Sequence, residues 1–200
     1  MLRAVVGALA VVAAGVGALA WASDGFRVVT AEGARRLAVA ESPRPLPDVV
    51  LEDQDGRHFR LSDYRGRRVA VEFFFSRCPT VCGTMTQAFQ RLDEGLKRDG
   101  RAGPAIVSIS FDPTHDTPER LVDYARAFGA DGRRWRFARP ADAGALAALL
   151  HAAGVVVIRD AAGGFVHNAA IHLLDPEGRL ARIDDVADVA AAAKFLGEGS

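Results

Sequence analysis

Cys78 and Cys82 are the only two cysteines in this 200-residue chain, and they sit together in Phe73-Phe-Phe-Ser-Arg-Cys78-Pro-Thr-Val-Cys82-Gly. Met1 and Met85 carry the only other sulfur, so soft-ligand and redox chemistry is concentrated at one place. Two thiols separated by three residues can close a disulfide, hold a soft metal, or alternate between the two. Cys78 follows a run of β-branched and aromatic residues, and Cys82 opens a helical pattern. If the turn between them winds helically, positions 78 and 82 share one face. A helix N-terminus favours thiolate, because its free N–H groups and dipole stabilise negative charge. A purely structural disulfide and a pair of inert buried thiols are the plainer alternatives.

Two thiolates rarely complete a transition-metal site, and the chain offers His58, His115, His151, His167 and His172 as further ligands. His58 lies on a polar strand edge and reads as solvated. His151 ends an apolar helix, where a histidine stabilises the C-terminal carbonyls. His115 sits in the loop that opens the Pro118 helix. His167 and His172 belong to one extended stretch, Gly164–Leu174. Five residues apart on a strand they point to opposite faces, so one of them at most serves a single site. The residues alone do not choose between them.

The segments that must position these groups follow from pattern. Ala4 to Ala22 is an uncharged apolar run preceded by Arg3. It reads as a membrane anchor with Trp21 at the far interface, or as a signal peptide with small-x-small sites at Ala18-Leu19-Ala20 and Ala20-Trp21-Ala22. Either reading exports the remainder, which in an exporting bacterium places the thiols where they are readily oxidised. Residues 24–47 read as a spacer ending in the prolines of Glu41-Ser-Pro-Arg-Pro-Leu-Pro47, which resist helix and central strand. Residues 48–200 then form one domain, long enough for a sizeable core. The 25 acidic residues balance 25 basic ones, of which only Lys97 and Lys194 are lysine, and nothing in that balance points to nucleic acid.

Within the domain, Asp48–Leu61 reads as two short strands about Gln54-Asp-Gly56, and Arg67–Phe75 as a buried central strand. Val81–Arg98 is a helix, with Met85, Phe89, Leu92 and Leu96 at spacings of three and four. Ala105–Phe111 is a second buried strand. Asp116-Thr-Pro-Glu119 starts a helix that runs to Phe128, with a capping residue before Pro118. A helix over Asp142–His151, a strand over Val155–Ile158, a hairpin of Phe165–Leu174 with Arg179–Ile183, and a closing helix over 186–196 complete the chain. The expectation is an α/β domain with a mixed sheet flanked by helices.

Several of these motifs together resemble one family. Cys78-Pro-Thr-Val-Cys82, Ser110-Phe-Asp112-Pro-Thr-His-Asp116-Thr-Pro-Glu119-Arg, Trp135-Arg-Phe and Val166-His167-Asn…Leu173-Leu-Asp175-Pro-Glu-Gly178 are similar, in order, to the Sco/SenC family of copper-binding proteins. The similarity spans residues 45–197, and an N-terminal anchor is also typical. It implies a thioredoxin-like fold with an N-terminal hairpin, and copper held by two cysteines and a distal histidine. The matching residues here are Cys78, Cys82 and His167. It further implies a role in assembling the binuclear copper centre of cytochrome c oxidase, by delivering copper to the copper-bearing subunit or by reducing its cysteines. A monomer tethered to the bacterial inner membrane and facing the periplasm is the corresponding expectation.

The donor set agrees, since thiolates suit Cu(I) and an added imidazole accommodates Cu(II), although zinc would accept the same ligands. Gly83, Asn168 and His172 stand where the family often has proline, serine and tyrosine, and none of these removes a ligand. Asp112 resembles a family aspartate near the metal loop. The competing expectation is enzymatic: a thiol-disulfide oxidoreductase, with Cys78 attacking and Cys82 resolving, or more remotely a peroxidase.

Overall fold

Apolar spacing and turn chemistry fold this chain into one helix standing apart and a domain built on an eight-stranded sheet. The computed structural model describes residues 2–23, 25, 30–77, 81–100, 106–161 and 163–198. Along the chain come α1 (Leu2–Ala22), α2 (Ala31–Glu41), β1 (Arg44–Pro45), β2 (Val50–Asp53), β3 (His58–Arg60), a 3-10 turn (Leu61–Tyr64) and β4 (Val69–Phe74). Then follow α3 (Val81–Arg98), β5 (Ile106–Ser110), α4 (Pro118–Ala127), β6 (Trp135–Pro140), α5 (Ala143–Ala153) and β7 (Val157–Arg159). The chain closes with β8 (Phe165–His167), β9 (Ile171–Leu174), β10 (Arg179–Asp184) and α6 (Val189–Gly197).

The main sheet has the order β1-β10-β9-β4-β5-β6-β2-β3, with β4, β5 and β6 parallel and the other pairs antiparallel. β4 and β5 are buried at every residue, as expected of strands covered on both faces. One face carries α3, α4 and α6, whose Met85, Phe89, Leu92, Leu96, Leu121 and Leu196 pack with Phe74, Trp135 and Phe137. The other face carries α2 and α5, with Val39, Leu149 and Ala153 against Val71, Phe73 and Val107. The β2–β3 hairpin, turning at Gly56 with φ +73°, forms the far edge. This is the expected mixed sheet flanked by helices and edged by an N-terminal hairpin.

Four expectations change. The segment read as a spacer contains α2, capped by Thr30, whose hydroxyl accepts from the Gly33 amide at 3.0 Å, and its Val39 is fully buried. β1 pairs through Pro45 only at the sheet edge, where a missing N–H costs nothing. β6 is an added strand, whose two arginines and proline mask the buried Trp135, Phe137 and Ala138. The stretch 165–174 is not one strand. It breaks at residues 168–170, with β8 pairing β7 in a separate two-stranded sheet and β9 entering the main sheet.

Two buried titratable groups lie on opposite faces of the sheet. Glu72 on β4 is fully buried towards α3 and accepts from the Thr86 hydroxyl at 2.7 Å and from Ser108, which also accepts from Trp135 Nε1 at 2.8 Å. Burial pushes its carboxyl up to about 7, although both hydroxyls oppose the shift. His172 on β9 is buried on the α2 side, edge-on to Phe73 at 5.2 Å. Its ring nitrogens approach the backbone of Val71 and Ala153, which favours the charged form. Burial, helped by the charge of Arg35, lowers its pKa to about 3.

The two groups act on stability with opposite signs. Glu72 keeps its proton in the fold when the unfolded chain has lost it, so stability falls as pH rises from about 4.5 to about 7. Glu72→Gln, which keeps the hydroxyl partners, should therefore gain stability at pH 8 relative to pH 5 by roughly 3 kcal/mol in urea unfolding. An unchanged pH profile would show that Glu72 does not titrate this way. His172 stays neutral while the unfolded chain charges, so stability falls as pH drops from 6.5 towards 3. His172→Phe should flatten that limb by roughly 2 kcal/mol between pH 8 and pH 5. A variant that keeps the parent's acid slope would place the acid-sensitive group elsewhere.

Candidate metal centre

The end of β4 is where the expected site residues gather. Phe75 and Ser76 leave the strand, Arg77 follows, and Cys78 lies next in the chain, outside the described residues. Cys82 lies in the first turn of α3, and its side chain is likewise outside what is described. The helical run from position 81 is the one expected, and it places the Cys82 backbone where helix N–H groups are unpaired by the helix itself.

His167 is the last residue of β8, and its ring packs on the aromatic residues that close the two central strands. It lies 5.0 Å from the Phe111 ring and 6.4 Å from the Phe75 ring, both near edge-on. Phe165 completes the cluster at 5.1 Å from Phe75 and 5.6 Å from Phe111. Phe75 is three positions before Cys78, so β8 brings His167 to the end of β4 that leads into the cysteine pair. Burial lowers the His167 pKa, with the Asn168 backbone opposing it, and the imidazole is held in the neutral form that ligates metals.

The other histidines separate from this group. His172 is turned into the core on β9, and the break at 168–170 sets it on a different sheet from His167 rather than on the opposite face of one strand. His58 is exposed on β3, and His151 is exposed in the last turn of α5. His115 is engaged through its ring nitrogens by the Arg120 guanidinium. Among the described residues no cluster of three His, Cys, Asp or Glu side chains forms a metal site.

A polar clamp holds the strand end in place. Asp116 is fully buried and accepts from the Ser76 amide at 3.1 Å, from the Ser76 hydroxyl and from the Ser110 hydroxyl. Ser110 in turn accepts from the Asp112 amide at 3.0 Å. The Asp112 carboxylate pairs with Arg77, the residue directly before Cys78. Asp112 thus touches the loop that carries Cys78 through Arg77. Thr117, directly before Pro118, takes the N-cap position of α4 as expected, without a side-chain hydrogen bond there. Sequence reading missed Asp116 and Ser76 because Asp-Thr-Pro is read first as a helix start. The signal that separates the two uses is the pair of serines at the two strand ends, which only parallel pairing of β4 and β5 brings together.

The SCO1/SenC family model matches residues 46–194. A SCO1 protein homolog from Bacillus subtilis is 25% identical over 133 residues, covering 66% of this chain and 68% of that protein. The structure of Bradyrhizobium japonicum ScoI with copper bound superposes with a TM-score of 0.64 at 22% identity, covering 76% of this chain and 97% of that one. BsSco, described as a member of the Sco family of cytochrome c oxidase assembly proteins with a disulfide switch, gives a TM-score of 0.67 at 20% identity, covering 80% and 96%. At these identities the superpositions establish a shared thioredoxin-like fold. With the family model spanning residues 46–194, well over half of its length, the chain belongs to the SCO1/SenC family.

Proposed function

We propose that this chain is a copper carrier that binds the metal through Cys78, Cys82 and His167 and serves the assembly of the binuclear copper centre of cytochrome c oxidase. The observation that carries this reading is the position of His167, whose ring rests on Phe75 three residues ahead of Cys78 while Cys82 opens α3. Two thiolates and one neutral imidazole are a donor set suited to copper in either oxidation state. Relatives support it: a ScoI structure holds copper, and BsSco belongs to a family of oxidase assembly proteins.

The roles of the chain's own residues follow from their surroundings. The N-terminal turn of α3 stabilises the Cys82 thiolate. The aromatic cluster around His167 excludes water from one side of the imidazole and limits its rotation. Copper as cargo passes to the copper-bearing subunit by stepwise exchange of ligands across a transient contact between monomers. Oxidation of the cysteines to a disulfide removes two of the three ligands, so loading is coupled to thiol redox state. α1 is long and apolar enough to cross a membrane and none of it is buried, which supports a membrane-tethered or exported protein with the domain in the periplasm.

A second reading is favoured by the thioredoxin-like fold and by the placement of Cys82 at a helix start: a thiol-disulfide oxidoreductase acting on cysteines of the oxidase subunit. His167 separates the two, because thiol exchange does not require a distal imidazole. In an anaerobic competition titration of the full chain in detergent, His167→Ala should weaken Cu(I) binding roughly ten-fold or more while leaving disulfide exchange near the parent rate. Unchanged copper affinity in that variant would remove the carrier reading and favour the oxidoreductase.

A further inference from the structure

The C-terminal turn of α5 is met from two sides by residues far apart in the chain. From α2, Arg35 donates through Nη1 to the Ala153 carbonyl at 2.9 Å, while Nε and Nη2 hold Glu32 at 3.0 and 2.6 Å. From the end of β8, Asn168 donates through Nδ2 to the Gly154 carbonyl at 3.0 Å and accepts from the Val156 amide through Oδ1 at 2.7 Å. Gly154 makes the meeting sterically feasible. It caps α5 at φ +69°, and a β-carbon there would lie 2.8 Å from Arg35 Cδ.

On its β7 side the ribbon that carries His167 is held at its base by the Val155 amide, which donates to the Leu150 carbonyl at 2.8 Å, and by Val157 against the core. β7 and β8 are three residues each, and a two-stranded ribbon is marginal by itself. Its outward side chains Ile158 and Val166 are about three-fifths exposed, at 60% and 61%, so that side contributes little packing. The inward side rests on the Phe75, Phe111 and Phe165 cluster. On the β8 side, Asn168, directly adjacent to His167, ties the ribbon to the rest of the domain through its side chain. The turn it grips is in turn held by Arg35, and Glu32 keeps the Arg35 guanidinium in place.

We propose that Asn168 and Arg35 are positioning residues for His167, joined through the C-terminal turn of α5. This rests on His167 being a copper ligand. Asn168 sets the height and direction of the imidazole over the strand ends. Arg35 anchors the turn that Asn168 holds, so the metal ligand is oriented from α2, the helix that follows the apolar N-terminal one. Docking of α2 therefore belongs to the site as well as to the core.

The test uses the full chain in detergent, with Cu(I) affinity by competition titration, the visible and electron paramagnetic resonance spectra of the Cu(II) form, and the melting of the metal-free protein. Asn168→Ala should weaken copper binding roughly ten-fold and broaden the Cu(II) spectra. Arg35→Ala should move both readouts in the same direction by a smaller factor. Arg35→Lys, which retains a cationic donor for the Ala153 carbonyl, should recover most of the loss. Where Asn168→Ala does not fold, Asn168→Asp, which keeps the acceptor for the Val156 amide, carries the same comparison. Parent affinity and parent spectra in the Asn168 and Arg35 variants, beside an impaired His167→Ala, would overturn the positioning roles and leave the ligand assignment standing. An unimpaired His167→Ala would overturn the ligand assignment, and the positioning roles with it.

Discussion

Asp116 is buried without access to water, and its carboxylate is satisfied by Ser110 at the end of β5 and by Ser76, two residues beyond β4. A buried carboxyl group without partners is costly by several kcal/mol in order of magnitude. The strand ends are therefore obliged to lie where the Ser76 amide, the Ser76 hydroxyl and the Ser110 hydroxyl converge on it. Because β4 and β5 are covered on both faces, their ends are the places where the chain can open to chemistry. Arg77 with Asp112 continues the clamp outward to the residue before Cys78. The cysteine pair starts from a backbone whose position the core has already decided.

Two titratable groups inside the core favour their neutral forms. Glu72 and His172 sit on neighbouring strands, with Val71 opposite His172 in the ladder, and each faces a different layer of helices. Burial disfavours the charged form of both. Glu72 is given two hydroxyl donors from α3 and β5, so its polar atoms are satisfied in a chain of bonds that reaches Trp135. His172 instead presents its ring edge to Phe73. The same residue type thus takes two unrelated positions: His172 as a packed core ring, and His167 at the rim of the strand ends.

The separation of those two histidines depends on the interruption after β8. Asn168 offers its amide to Gly154 and Val156, bonds that a strand continuing straight into β9 would not make. The strand consequently peels away from the main sheet, pairs with β7, and carries His167 over Phe75 and Phe111. A continuous strand would have left the imidazole on one face of the main sheet, buried among helices or turned to solvent, and away from Phe75 and Phe111 at the strand ends.

Much of the fold was legible because its signals are local. Continuous apolar runs marked β4 and β5, the spacing of Met85, Phe89, Leu92 and Leu96 marked α3, and Pro118 marked the start of α4. β6 and α2 were not legible, since arginine-rich and proline-flanked segments become strand and helix here only through what they pack against. The sequence by itself determined that the sulfur chemistry lies at the junction of the central strand and α3, and motif order pointed to His167. The tertiary structure decided what supports that junction: Asp116 across the strand ends, and Asn168 and Arg35 on the last turn of α5. Asn168 to Gly154, Ser76 to Asp116 and Arg35 to Ala153 join residues 14, 40 and 118 apart, and no local pattern encodes a partner that only the closing of the sheet brings within hydrogen-bond reach.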